Sequence, residues 1–185
     1  MAIEARRGHV HVNDCSQIFQ IILLSGFVPK EDTLHLVMDV CAWCSRRERC
    51  SLREAEVLFR QLKSAGLNPS IRSHNSWMAV IAGAAASGHA RVEDGLRVLD
   101  QMAADGLSAN VHTFTSLMAV VAGAARHGSA SAEDGEQVLQ LYAAAAPPEA
   151  GMSAKIAMYN AFLAVLVGVA CHGRASLKVI LFLSQ

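Results

Sequence analysis

A forty-residue internal repeat constrains this chain more than any other feature. Met78-Ala-Val-Ile-Ala-Gly-Ala-Ala85 returns as Met118-Ala-Val-Val-Ala-Gly-Ala-Ala125, Gly88 as Gly128, Glu93-Asp94-Gly95 as Glu133-Asp134-Gly135, and Val98-Leu99 as Val138-Leu139. Between residues 71–104 and 111–144, 17 of 34 positions are identical. Shared composition does not produce that many matches, so the segments are copies of one unit. The frame extends outward. Met38 answers Met78, Gly26-Phe-Val-Pro29 parallels Gly66-Leu-Asn-Pro69 and Gly106-Leu-Ser-Ala109, and Leu163 answers Met118 once five extra residues are placed in the Pro147–Gly151 loop. The register divides the chain into an N-terminal segment, 1–12, and an array over 13–185. The array holds a partial unit 13–29, units 30–69, 70–109 and 110–154, and a truncated unit 155–185. The break inside a unit predicts a fragment of a longer array.

Each unit reads as two helices, which predicts an all-α chain. The first helix, for example His74 to Ser87, is apolar nearly all round, as befits an element buried between neighbours. Gly88 and Gly128 are placed to end such helices in the left-handed conformation. The second helix opens at Ser51-Leu-Arg-Glu54 or Ser131-Ala-Glu-Asp134, where a serine oxygen can accept from free helix N–H groups and an acid complements the positive helix end. Its apolar residues recur at helical spacing: Ala55, Leu58, Phe59 and Leu62, then Val98, Leu99 and Met102. A single pair cannot bury both faces, so stacked pairs, an α-solenoid, are expected.

Composition agrees. Aromatic residues are only 5% of a chain that is 52% hydrophobic, so its core is built from Ala, Val, Leu and Met, which suits closely packed helices. Sixteen basic residues balance sixteen acidic ones, which excludes a grip on nucleic acid by bulk charge and leaves base contacts with local basic spots such as Arg46, Arg47 and Arg49. Five cysteines at irregular spacing, without a secretory signal pattern, point to a reducing compartment. The apolar run Ile156 to Cys171 is shorter than the roughly 18 residues of a spanning helix and predicts a buried helix, with no membrane partner.

The unit junctions resemble the pentatricopeptide repeat family. The family pattern, approximately K-x-G-hydrophobic-x-P-D-x-x-T-Y-N-x-L-I, is similar to Ser64-Ala-Gly-Leu-Asn-Pro-Ser-Ile-Arg-Ser-His-Asn-Ser-Trp-Met78 and to Gly106-Leu-Ser-Ala-Asn-Val-His-Thr-Phe-Thr-Ser-Leu-Met118. Ile156-Ala-Met-Tyr-Asn-Ala-Phe-Leu163 carries the family's Tyr-Asn pair. The repeat here is longer than the family's, and only Asn110, among Lys30, Ser70, Asn110 and Lys155, matches the Asp or Asn expected just before a repeat.

The resemblance implies a right-handed superhelix of antiparallel helix pairs that binds single-stranded RNA, one base per repeat, in mitochondria or plastids. It places the base-reading position on His35, Asn75, Thr115 and Asn160, with partners Ser70, Asn110 and Lys155 for the first three. Asn75 with Asn110 suggests a pyrimidine and Thr115 a purine. The base-sandwiching position falls on Asp32, Arg72, His112 and Ala157, where Arg72 and His112 offer flat groups for stacking. Asp32 would oppose an RNA backbone, so the first unit is expected to be inactive.

Blander roles compete for the same residues. Asn75, Thr115 and Asn160 would also serve as caps near a first helical turn. Cys41-x-x-Cys44 with Cys50 lacks a fourth zinc ligand at suitable spacing. His127 and His172 precede glycines at helix ends, and Glu93-Asp94 and Glu133-Asp134 fall in first turns where acids are favoured. No nucleophile, metal set or phosphate-binding glycine loop stands out, so neither an enzyme, a cofactor nor a small-molecule substrate is expected. The second functional reading is a tetratricopeptide-like scaffold for a protein partner. The third is the RNA-gripping arm of a larger RNA-processing enzyme.

Overall fold

The computed structural model describes residues 12–26, 30–145 and 151–171. Among them lie eight helices and no strand: α1 Val12–Leu24, α2 Glu31–Ser45, α3 Leu52–Ser64, α4 Ile71–Ala86, α5 Val92–Ala104, α6 Val111–Arg126, α7 Ala132–Ala145 and α8 Met152–Cys171. The expected helix ends are present. Glu54 N donates to Ser51 Oγ at 3.2 Å while Ser51 N donates to Glu54 Oε2 at 2.8 Å. Ser131 and Asp134 repeat this exchange at 3.3 and 2.7 Å. Gly88 and Gly128 adopt φ of 77° and 70°, a region that a Cβ disfavours.

The first helices of the units form one row, with α2 against α4, α4 against α6 and α6 against α8. Each of α3, α5 and α7 touches the first helix of its own unit and that of the next. This bridging is what joins the units into one core. Ala55, Leu58, Phe59 and Leu62 of α3 are buried, as are Val98 and Met102 of α5, in keeping with their spacing.

Glycine sets how closely the row packs. A Cβ on Gly123 would stand 2.7 Å from Ala86 N, and one on Gly83 2.9 Å from Arg46 N. Gly168 meets Ala122 O at 3.0 Å in the same way. Trp43 occupies the matching position in α2, so α2 cannot take a preceding helix at that distance. Its ring instead lies under the Arg47 guanidinium, 3.4 Å from Cζ to the ring centroid.

Three sequence expectations need correction. The first helix of the second unit begins at Ile71, not at His74, because Ser70 is its cap: Ser73 N donates to Ser70 Oγ at 3.4 Å. The last helix starts at Met152, before the apolar run, and reaches 20 residues. It is therefore long and apolar enough to cross a membrane by length and composition alone. Nor is it buried all round. Met158, Phe162, Val165, Leu166 and Val169 face the core, whereas Ile156, Tyr159, Leu163 and Val167 are exposed. The N-terminal segment up to residue 11, most of the Pro147–Gly151 loop, and His172 with the remainder of the last unit lie outside the described residues.

Candidate nucleic-acid interface

The N-terminal turns of α4 and α6 carry the candidate base-reading residues Asn75 and Thr115, whereas Asn160 is the ninth residue of α8. Asn75 and Thr115 are each the fifth residue of their helix and half-buried, while Arg72, Asn110, His112, Lys155 and Asn160 are exposed. Arg72 precedes Asn75, and His112 precedes Thr115, by three residues, which sets each pair on one helix face. Capping does not account for Asn75 or Thr115. The caps are Ser70 and Asn110, one turn earlier, and Thr115 Oγ1 instead donates to His112 O at 3.1 Å.

Asn75 and Asn110 meet at the junction of the second and third units. Asn75 Nδ2 donates to Asn110 Oδ1 at 3.4 Å, and Asn110 Oδ1 also accepts from Thr113 N at 3.1 Å. Thr113 Oγ1 stands 2.6 Å from Asn75 Oδ1 and 3.2 Å from Asn110 Oδ1. A hydroxyl has one hydrogen, so it is given to the nearer oxygen. Among the described residues, one Nδ2 hydrogen of Asn75 and both of Asn110 have no protein acceptor. The junction therefore presents amide donors that are held in place from behind.

Sequence reasoning overlooked Thr113. Its signal was the hydroxyl recurring at Thr33, Ser73 and Thr113, each accepting from the backbone N–H three residues before it: Lys30 N at 3.3 Å, Ser70 N at 2.7 Å and Asn110 N at 3.1 Å.

The other units differ. His35 is buried, with Nδ1 3.0 Å from Ser76 Oγ and Nε2 3.4 Å from Asp39 Oδ2, so the first unit holds its base-reading position between α2 and α4. Lys155 is the fourth residue of α8 and not the residue before a helix, because α8 begins four residues earlier than the repeat register predicts. The basic cluster is also elsewhere. Arg46 lies against Gly83, about two helical turns along α4 from Asn75.

His74, beside Asn75, is fully buried and packs with its ring tilted against Phe59, ring centroids 5.8 Å apart. Its Nε2 lies 3.1 Å from Asp105 Oδ2, and Lys63 Nζ reaches Asp105 Oδ1 at 2.9 Å. Burial holds the imidazole below its ordinary pKa even though Asp105 pulls the other way. Hydrogen bonding from Lys63, more than from His74, lowers Asp105. This polar string ties α3, α4 and the end of α5 together behind the interface.

The remaining candidates have structural contacts. His127 Nε2 lies 3.0 Å from Ala86 O, so this imidazole satisfies the end of the preceding unit's first helix rather than its own. Asp94 accepts from Arg91 N at 2.8 Å and pairs with Arg97. Among the described residues, no group of three His, Cys, Asp or Glu side chains converges as a metal site requires.

Fold and site together define an all-helical protein of repeat-like architecture with polar helix ends at its unit junctions. Compared with protein-family models and with curated proteins, the chain matches none.

Proposed function

We propose that the chain is a pentatricopeptide-like α-solenoid, a right-handed superhelix of antiparallel pairs, that binds single-stranded RNA along the N-terminal ends of its first helices. The observation that carries this reading is the meeting of Asn75 and Asn110, two residues that the resemblance pairs as readers of one base and that stand 35 positions apart in the chain. Their uncommitted amide hydrogens suit the acceptors on a base edge, and Arg72 and His112 supply flat groups for stacking. Asn75, Thr115 and Asn160 give three reading positions. His35, buried against Ser76, gives none. Stacking of about 1–3 kcal/mol per base, less the cost of ordering the strand, predicts weak binding by so short an array.

The test is selection from a randomised RNA pool at two salt concentrations, with the parent chain and Asn75→Ala/Thr115→Ala in parallel and a single-stranded DNA pool alongside. The parent is expected to enrich a short RNA motif, and the double variant to lose that preference with unchanged helical circular dichroism. Equal enrichment by both proteins would refute the base-reading assignment. A parent that enriches no RNA would favour a protein-binding scaffold.

A further inference from the structure

Building on the RNA-binding reading, we infer that Thr113 is a positioning residue: its buried hydroxyl fixes which way the Asn75 and Asn110 amides point and so sets the base preference of their junction. Thr113 is fully buried, so it acts on a strand only through those two side chains.

Two backbone N–H groups set the direction of the network, and neither can be reversed. Thr113 N donates to Asn110 Oδ1 at 3.1 Å, which identifies that atom as the amide oxygen. Asn110 N donates to Thr113 Oγ1 at 3.1 Å, so the hydroxyl hydrogen is left to be given onward. Its acceptor, 2.6 Å away, is Asn75 Oδ1. That separation is ordinary for O–H···O and short for N–H···O. Asn75 Nδ2 in turn donates to Asn110 Oδ1 at 3.4 Å, which closes a ring through three side chains. Turning the Asn75 amide over would set its oxygen against Asn110 Oδ1, two acceptors with no hydrogen between them. Asn110 Oδ1 is occupied by Thr113 N and Asn75 Nδ2, so Asn110 offers a strand N–H groups only.

The matching positions of the neighbouring units are wired differently. In the second unit Ser73 Oγ donates to Ser70 O at 2.9 Å, and His35, the reader of the unit before it, bonds Ser76 instead. In the last unit the position is Met158, which has no hydroxyl, and Thr115 turns its own hydroxyl back to His112 O. The orienting contact, and with it the sharpest base preference, therefore falls at Asn75 and Asn110.

Thr113→Val keeps the side-chain shape and deletes the hydroxyl, whereas Thr113→Ser keeps the hydroxyl. RNA-pool selection by the parent and both variants, run well below their melting temperatures, is expected to show one sharply preferred base in the parent and in Thr113→Ser. Thr113→Val should lose the preference at that position alone, whereas a merely structural role would weaken binding at every position alike. Side-chain amide NMR relaxation reads the same contact without RNA: the Asn75 NH2 group should be ordered in the parent and in Thr113→Ser and mobile in Thr113→Val. A preference kept by Thr113→Val, a preference lost in Thr113→Ser, or an Asn75 amide equally ordered in Thr113→Val would overturn the positioning role. A mobile Asn75 amide in the parent would overturn it too, and that measurement decides the question even if Thr113→Val fails to fold. A parent that enriches no RNA while its Asn75 amide is ordered would overturn the RNA-binding reading, and with it the effect on base preference, and uphold the positioning of the amides.

Discussion

Asn75 Nδ2 donates to Asn110 Oδ1 across a unit junction, 3.4 Å apart. Asn110 also caps α6 through the same oxygen, so its capping role and its proposed recognition role can be separated by substitution. Asn110→Ala removes both, and unfolding should become easier by about 1 kcal/mol. Asn110→Ser keeps an N-cap oxygen, so urea unfolding should return close to the parent while the RNA preference stays altered. Loss of stability in the serine variant equal to that in the alanine variant would contradict the division.

Gly123 offers a test of sign. On an unobstructed helix, Gly→Ala stabilises by about 0.8–1.0 kcal/mol. A Cβ at Gly123 would lie 2.7 Å from Ala86 N and 2.8 Å from Ala85 C, both backbone atoms that cannot swing aside. Gly123→Ala should therefore destabilise, by about 1–3 kcal/mol as in other overpacked cores. Chemical denaturation reads the sign, and a stabilised variant would show that the α4–α6 approach is looser than described.

Burial of His74 predicts acid sensitivity. Its pKa is lowered in the folded chain, so the unfolded chain takes up the proton more readily as pH falls. The stability that it contributes is whole above its ordinary value of 6.5 and is lost as pH drops below that toward the depressed folded value. Asp105, also lowered, adds its own loss only as pH falls through and below 3.8. Melting temperatures measured from pH 7.5 to 5 should decline in the parent. In His74→Leu, which places the residue of the matching position Leu34, the decline over that range should shrink. The same change removes both the buried Nδ1 atom, which has no hydrogen-bond partner, and the Nε2 contact to Asp105, so the pH slope and not the stability at pH 7.5 is the readout.

His127 should matter to the helix before its own. His127→Ala deletes the bond to Ala86 O, and a cost of about 0.5–1.5 kcal/mol is expected. Hydrogen exchange localises the effect: faster exchange should appear in the Ser87–His89 turn that follows α4.

The repeat and the helix signals were readable without coordinates because each depends on short-range chemistry. Ser51 with Glu54, Ser131 with Asp134, and the glycines at 88 and 128 act within one turn of chain, and an identical spacing of apolar residues implies an identical buried face. The same locality explains the error at α8: the five-residue insertion shifts the register by residue count, but Lys155 ends up inside the helix because α8 begins at Met152.

Which side of each copy faces its neighbour is another matter. Asn75 and Thr115 share a repeat position with His35, yet His35 is buried against Ser76 while Asn75 meets the cap of the next unit. Sequence determined the helices, the period and the glycines that permit close stacking. Tertiary structure alone decided which polar groups reach solvent, that Thr113 braces Asn75 and that His127 serves Ala86. The physical reason is that helix formation is set by neighbours a few residues away, whereas the partner of a side chain depends on how helices forty residues apart settle against one another.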